Sequence, residues 1–285
     1  MANIRLIGRR IKGIRNTAKI TKAMEMIAAS KMRKAQERGL AGRPYSEKIT
    51  QVMSALAALT TDGSELHPLL QRREAKNVAI VHITPDRGLA GGLVANINRK
   101  AAGFILEKDA PVRLIVIGRK GLDFMRRTRQ NIVAEFTDMG DSPSLLDTLP
   151  ISHIIIEDFT SGAIDEVYLS YTQFINTMTQ QPVIEKVLPV EPAEIPPAQN
   201  VEYIYEPNPG VVLGGLLPRF VEMEVYHAML EAIASEQSAR MVAMRSATDN
   251  ANELIDELTL IYNKARQEMI TNELLDITGG AVALE

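Results

Sequence analysis

Apolar and polar positions divide the chain into three stretches. From residue 3 to 38 the apolar residues recur at helical spacing. Ile4, Ile7, Ile11, Ile14 and Ala18 step by 3, 4, 3 and 4, which is a heptad seam. Ile20, Met24 and Ile27 continue it on a drifting face, followed by Ala28, Met32 and Ala35. Gly39, Gly42 and Pro44 predict a kink or short break. The helical pattern resumes at Ile49, Val52, Leu56 and Leu59. The last stretch, residues 219–278, holds neither Gly nor Pro. At 1.5 Å per residue it allows about 90 Å of helix. Within it Ala251, Leu254, Leu258, Ile261 and Ala265 repeat the 3, 4, 3, 4 stepping. A helix well beyond about 25 residues is better read as a coiled coil than as an ordinary globular helix.

The middle stretch has another rhythm. NVAIVHIT (77–84), VRLIVIG (112–118) and QNIVAEF (130–136) are short β-branched runs bounded by turn residues. DEVYLSYTQF (165–174) and PVIEKVLPV (182–190) alternate as strands do, and SHIIIEDF (152–159) fits either helix or strand. VEPAEIPPAQN (190–200) reads as a Pro-rich connection. Strands alternating with helical patterns predict an open, largely parallel, Rossmann-like sheet. One long helix leads into this insert and another leads out. Their insert-proximal ends are neighbours, so the two run antiparallel if they pair. The expected fold is therefore α/β, an antiparallel two-helix coiled coil from the terminal segments with an inserted α/β domain. Its shaft covers 1–60 and 210–285, the insert 76–200, and connections 61–75 and 201–209. The final ~20 residues are expected to extend past the pair as a single helix.

Composition narrows the function classes. Hydrophobic residues are 46% and charged residues 24%, which excludes bulk disorder. The chain has no Cys, which removes thiol nucleophiles, thiolate metal sites and redox switching. His67, His82, His153 and His227 are scattered without a metal-ligand spacing, so no metal and no cofactor is expected. Aromatic residues are only 5%, which suits long helices packed on Ala, Ile, Leu and Met. The chain has no run of 18 apolar residues, and its basic start lacks a secretory signal's apolar core. An Arg-rich amphipathic start could pass for a transit peptide, but the same pattern runs on for dozens of residues. The expected compartment is a reducing cytosol.

Charge is unevenly spread. Residues 1–48 carry 13 Lys and Arg against Glu25, Glu37 and Glu47, a net +10. Residues 219–285 carry 5 basic and 12 acidic residues, a net −7. A segment at +10 fits nucleic acid, anionic lipid or an acidic protein. It also fits the acidic last helix of the same chain, which antiparallel pairing would lay beside it.

The segments IKGIRNTAKITKAMEMIAASKMRKAQ (11–36), TPDRGLAGG (84–92) and RMVAMRSATDNANELIDELTLIYNKARQEMITNELLDITGGA (240–281) closely resemble the gamma subunit of F-type ATP synthases. The bacterial type is the nearer pattern. The match covers both termini and the central motif in order. Ala90 stands where the family commonly has Cys. The resemblance implies a central rotor shaft inside a ring of three alpha and three beta subunits, with the epsilon subunit and the c-ring of Fo as further partners. It implies no catalysis by this chain, no nucleic-acid partner, and a peripheral place on the cytoplasmic face of the plasma membrane, reached only through Fo.

Each candidate site has a plainer alternative. TPDRGLAGG lies between a strand and a helix, where phosphate loops sit, but it lacks the Gly and Lys positions of a phosphate loop, and Asp86 repels an anion. It is a glycine-rich turn or, by the resemblance, a contact loop whose Arg87 faces the beta subunits. Lys31, Arg33 and Lys34 are a solvated basic face or, by the resemblance, part of the same collar. Several exposed pairs worth about 0–1 kcal/mol each attract without locking. Met24 is a seam residue or, by the resemblance, lies near the bearing against the catalytic ring. Arg240, Gln267 and Thr271 are coiled-coil surface or, by the resemblance, hydrogen-bonding contacts to the beta subunits. Two rival classes remain: a nucleotide-binding α/β enzyme with a coiled-coil appendage, and a basic coiled-coil adaptor for anionic lipid or nucleic acid.

Overall fold

The computed structural model describes residues 4–59, 67–191, 206 and 208–282. Helix α1 (Ile4–Leu59) precedes a short 3-10 turn at Pro68–Leu70. Strand β1 (Val78–Ile83), helix α2 (Leu93–Glu107), strand β2 (Val112–Ile117), helix α3 (Arg119–Arg127) and strand β3 (Ile132–Phe136) follow. Then come helix α4 (Leu145–Thr160), the hairpin β4 (Glu166–Phe174) and β5 (Gln180–Leu188), and helix α5 (Pro209–Val282). The sheet order is β3-β2-β1-β4-β5; β1 to β4 are parallel, and β5 adds antiparallel to β4. The fold is thus α/β, with long terminal helices around a mostly parallel sheet.

All six residues of β1 are buried, as expected of a parallel strand covered on both faces. Val78 and Ile80 face one side with Leu114 and Val116, against Ala101 of α2 and Leu122 and Met125 of α3. Ala79, Val81 and Ile83 face the other side, in one core with Ile151, Ile155 and Phe159 of α4. Ala35, Ile49 and Met53 of α1 and Leu217, Val221 and Val225 of α5 belong to that same core. The ambiguous segment 152–159 is helical because Ile151, Ile155 and Phe159 recur every fourth residue on one buried face. Its start is fixed by the Ser144 N–H, which donates to the Asp147 carboxylate at 2.7 Å.

The chain divides into two compact units, Met1–Ala28 with Arg240–Glu285, and Ala29–Ala239. The sequence-level boundaries follow secondary structure; the units follow packing, so the inner parts of α1 and α5 go with the sheet.

In the smaller unit the two helices run antiparallel. Thr21 Oγ1 lies 2.7 Å from Thr248 Oγ1. An ideal Cβ on Gly8 would lie 3.6 Å from the Tyr262 ring. Moving from Thr21 back to Gly8 therefore moves the partner forward from Thr248 to Tyr262. Ile4, Ile7, Ile11 and Ile14 are half-buried, and Ala18 and Ala28 are buried. Two expectations need correcting. Ile20 and Ile27 are 61% and 55% exposed, because the seam passes through Ala18, Thr21 and Ala28 instead. On α5 Ala251 is buried and Leu258 half-buried, but Leu254 and Ile261 are exposed; Ile255 and Tyr262 take their places. Only these two positions move, by one residue, and the second places the Tyr262 ring against Gly8. From Arg266 to Thr278 every residue of α5 is exposed.

Both terminal helices also run on through residues that break helices elsewhere. Helix α1 continues through Gly39, Gly42 and Pro44 without a break. Helix α5 starts at Pro209, ahead of the Gly- and Pro-free stretch, and contains Gly210, Gly214, Gly215 and Pro218. Packing of Ala35, Ile49, Leu213 and Leu217 into the core outweighs the local cost of these residues. The Pro-rich stretch 192–200 lies outside the described residues.

Candidate functional site

The loop after β1 is built by one threonine and one aspartate. The Thr84 hydroxyl donates to the Ile117 carbonyl at 2.9 Å and accepts from the Gly121 N–H at 2.8 Å. This ties the β1 exit to the turn between β2 and α3. A Cβ on Gly118 would fall 1.9 Å from the Thr84 carbonyl oxygen, and φ is +87° there, so the turn admits only glycine. Asp86 accepts from the Arg119 N–H at 3.0 Å and the Asp138 N–H at 3.1 Å. It satisfies an amide at the start of α3 and holds the β3 exit loop against it. Asp86 is therefore a brace within the chain, which accounts for an acidic residue beside Arg87.

The loop then bends through two left-handed residues, Leu89 at φ +64° and Gly91 at φ +58°. Ala90 between them is buried, while the Leu89 side chain is 63% exposed. A left-handed leucine costs about 1–2 kcal/mol. The bend holds an apolar side chain in solvent two residues from the exposed Arg87.

Lys31 on α1 donates to Asp141 at 2.6 Å, and Asp141 also accepts from Gln237 of α5 at 3.1 Å. The loop after β3 is thereby pinned to both helices. Both partners of the Lys31 pair are more than a third exposed, so solvent keeps it weak. Arg33 and Lys34 are exposed. Lys31, Arg33, Lys34 and Arg87 all fall in the larger unit. Met24, Arg240, Gln267 and Thr271 fall in the smaller one. Met24 is half-buried, Arg240 is buried, and Gln267 and Thr271 are exposed. The Thr271 hydroxyl donates to the Gln267 carbonyl at 2.9 Å.

Sequence reading missed three polar clusters. Asp141, in a GDSP turn, carries no motif that marks it as a brace. His82 is fully buried between Ser170 (3.1 Å) and Asn98 (2.8 Å), and burial lowers it to about 4. No solvent reaches the Ser170 hydroxyl, so this trio is a core network and not a nucleophile. On the other face Tyr171 donates to Glu185 at 2.8 Å. Burial, then the Glu185 and Glu231 carboxylates, push the nearby Glu224 up to about 6. A strand's alternation and a helix's period place these residues inward, but neither tells which strand meets which helix. Among the described residues no group of acidic and histidine side chains is arranged to hold a metal. No described helix is long and apolar enough to cross a membrane.

The family model described as ATP synthase matches residues 3–284. The chain is 69% identical over 284 residues to an ATP synthase gamma chain of Dehalococcoides mccartyi (strain CBDB1), covering all of both chains. It is 53% identical over 288 residues to that of Roseiflexus castenholzii, covering all of this chain and 99% of the other. Among solved structures it is similar to a chain of the central stalk and c-ring of Tetrahymena thermophila mitochondrial ATP synthase. The identity is 25% and the TM-score 0.61, over 80% of this chain and 99% of that one. A chain of Euglena gracilis mitochondrial ATP synthase shares the fold at TM-score 0.68 and 20% identity, over 99% and 94% of the two.

Proposed function

The chain belongs to the ATP synthase gamma-chain family, and on that premise we propose that it is the central rotor shaft of a bacterial F-type ATP synthase. The observation that carries the reading is the antiparallel terminal pair, Thr21 on Thr248 and Gly8 under Tyr262, with a solvent-covered α5 end. A pair of helices resists bending and twisting where one helix flexes. The exposed end of α5 leaves Gln267 and Thr271 open to a surrounding sleeve.

The mechanism is differential binding. An asymmetric rod in a ring of three alpha and three beta subunits touches three equivalent sites unequally. Each angle then stabilises a different set of open and closed nucleotide sites, and nucleotide binding and hydrolysis turn the rod in return. Lys31, Arg33, Lys34 and Arg87 form a collar toward an acidic loop of the beta subunits. Lys31 gives up only an exposed pair with Asp141 on engaging such a partner, so exchange between partners is cheap. Met24, Gln267 and Thr271 face the ring, whereas Arg240, proposed from the same resemblance, is buried within its unit. The sheet unit meets the epsilon subunit and the c subunits. The chain supplies no chemistry of its own and reaches the cytoplasmic face of the membrane through Fo.

Reconstitution with alpha and beta subunits tests this. The expected product holds one copy of this chain and shows rotation coupled to ATP hydrolysis. A mixture that never incorporates the chain, or that rotates without it, sinks the reading.

A further inference from the structure

The loop after β1 holds one residue that neither the backbone nor water favours. Leu89 has φ +64°, in the left-handed region that is unfavourable for leucine and that glycine or asparagine adopts readily. Among the described residues the other non-glycine positions with positive φ are Arg129 and Asp138, both polar. Leu89 is also 63% exposed. Exposed leucines are ordinary in themselves, and Leu106 and Leu146 are more exposed still. Those two lie in helices α2 and α4, where leucine suits the backbone. At Leu89 conformation and hydration both oppose the residue present, and use of its side chain by a partner accounts for it.

The loop is built to hold that side chain still. Thr84 and Asp86 tie its start to the turn before α3 and to the loop after β3. On the other side Ala90 is buried, and its carbonyl accepts from the Leu93 N–H at 3.3 Å. Leu89 projects from between these two fixed points. An apolar side chain positioned in advance loses little freedom when a partner covers it.

The surrounding charge selects the partner. Arg87, two residues earlier, is exposed. Asp86 accepts from the Asp138 N–H, and three residues further on Asp141 pairs with Lys31. Arg33 and Lys34, next to Lys31 on α1, are exposed. The loop of Leu89 is thus joined through the loop after β3 to the basic face of α1, all within the larger unit.

We propose that Leu89 is the apolar anchor of the collar, and that the acidic loop it meets carries an apolar side chain beside its carboxylates. The inference rests on the collar reading above and names the chemistry of the collar's partner. The cations attract that loop from a distance and weaken with salt. The leucine acts only on contact, and salt does not screen it. It therefore governs how long the two surfaces stay together, while the cations govern how they find each other.

The test is the rate at which the full-length chain leaves the complex reconstituted with alpha and beta subunits, followed over a range of salt concentrations. The forms compared are the parent, Leu89→Asn, Leu89→Met and Arg87→Gln. Asparagine suits left-handed backbone and leaves the charge unchanged, whereas methionine restores an apolar side chain of similar volume. Leu89→Asn is expected to leave at least about fivefold faster with the parent's salt dependence, and its urea midpoint should equal or exceed the parent's. Leu89→Met should stay within about twofold of the parent. Arg87→Gln should leave faster with a shallower salt dependence, which reports on the collar separately. A Leu89→Asn chain that leaves as slowly as the parent overturns the anchor while the collar stands, as does a methionine variant no better retained than the asparagine one. A lowered urea midpoint or failure to fold in Leu89→Asn assigns the leucine to the packing of its own loop and overturns the proposal. An unchanged Arg87→Gln sinks the collar, and the acidic partner named here with it.

Discussion

Single residues fix the geometry of the loop after β1. Gly118 is the tightest point: any side chain meets the Thr84 carbonyl, and the backbone is left-handed. Gly118→Ala is expected to destabilise by about 2–4 kcal/mol in urea unfolding, through overlap and backbone strain together. Two titrating residues act in opposite directions. Glu224, raised from 4.5 to about 6, keeps a proton in the folded state that the unfolded chain has already released. Its contribution therefore falls as pH rises from about 4.5 to 6, by about 2 kcal/mol. His82, lowered from 6.5 to about 4, stays neutral where the unfolded chain is protonated. Its contribution falls as pH drops from about 6.5 to 4, by about 3 kcal/mol. Unfolding free energies measured from pH 4.5 to 7.5 should thus change little for the parent. Glu224→Gln should be more stable at pH 7.5 by up to about 2 kcal/mol and should lose stability steadily on acidification.

Elements show where local preference yields. Pro44 sits exposed inside α1, where it removes one backbone hydrogen bond. Pro44→Ala should raise stability by about 1–3 kcal/mol, read as a higher urea midpoint at an unchanged slope. The break expected at Gly39, Gly42 and Pro44 rested on propensity alone; packing of Ala35 before it and Ile49 after it keeps the helix whole. The strands were legible from their β-branched runs, and all five lie within a few residues of the expected limits. Segment 152–159 was not, because three consecutive isoleucines suit a strand and a buried helix face equally. In the seam of α5 Ala251, Leu258 and Ala265 were legible, and the two positions between them were not. Leu254 and Ile261 satisfy the heptad as well as Ile255 and Tyr262 do, and only the opposing Gly8 decides between them.

For the whole molecule, the exposed end of α5 separates stability from function. Removing residues 267–285 deletes a segment that is exposed throughout its described length to Thr278. Unfolding free energy should stay within about 0.5 kcal/mol, since surface changes away from packing cost little. In the reconstituted complex the same truncation should lower torque in single-molecule rotation. The sequence by itself determined the two terminal helices, the five strands of a mostly parallel sheet and the family. Those follow from periodicity and motif, which are properties of neighbouring residues. The tertiary structure alone decided the alternate seam positions Ile255 and Tyr262, the survival of α1 through Pro44, and the bracing of Lys31 by Asp141. Each depends on which side chains meet across distant parts of the chain, and a periodic pattern leaves that choice open.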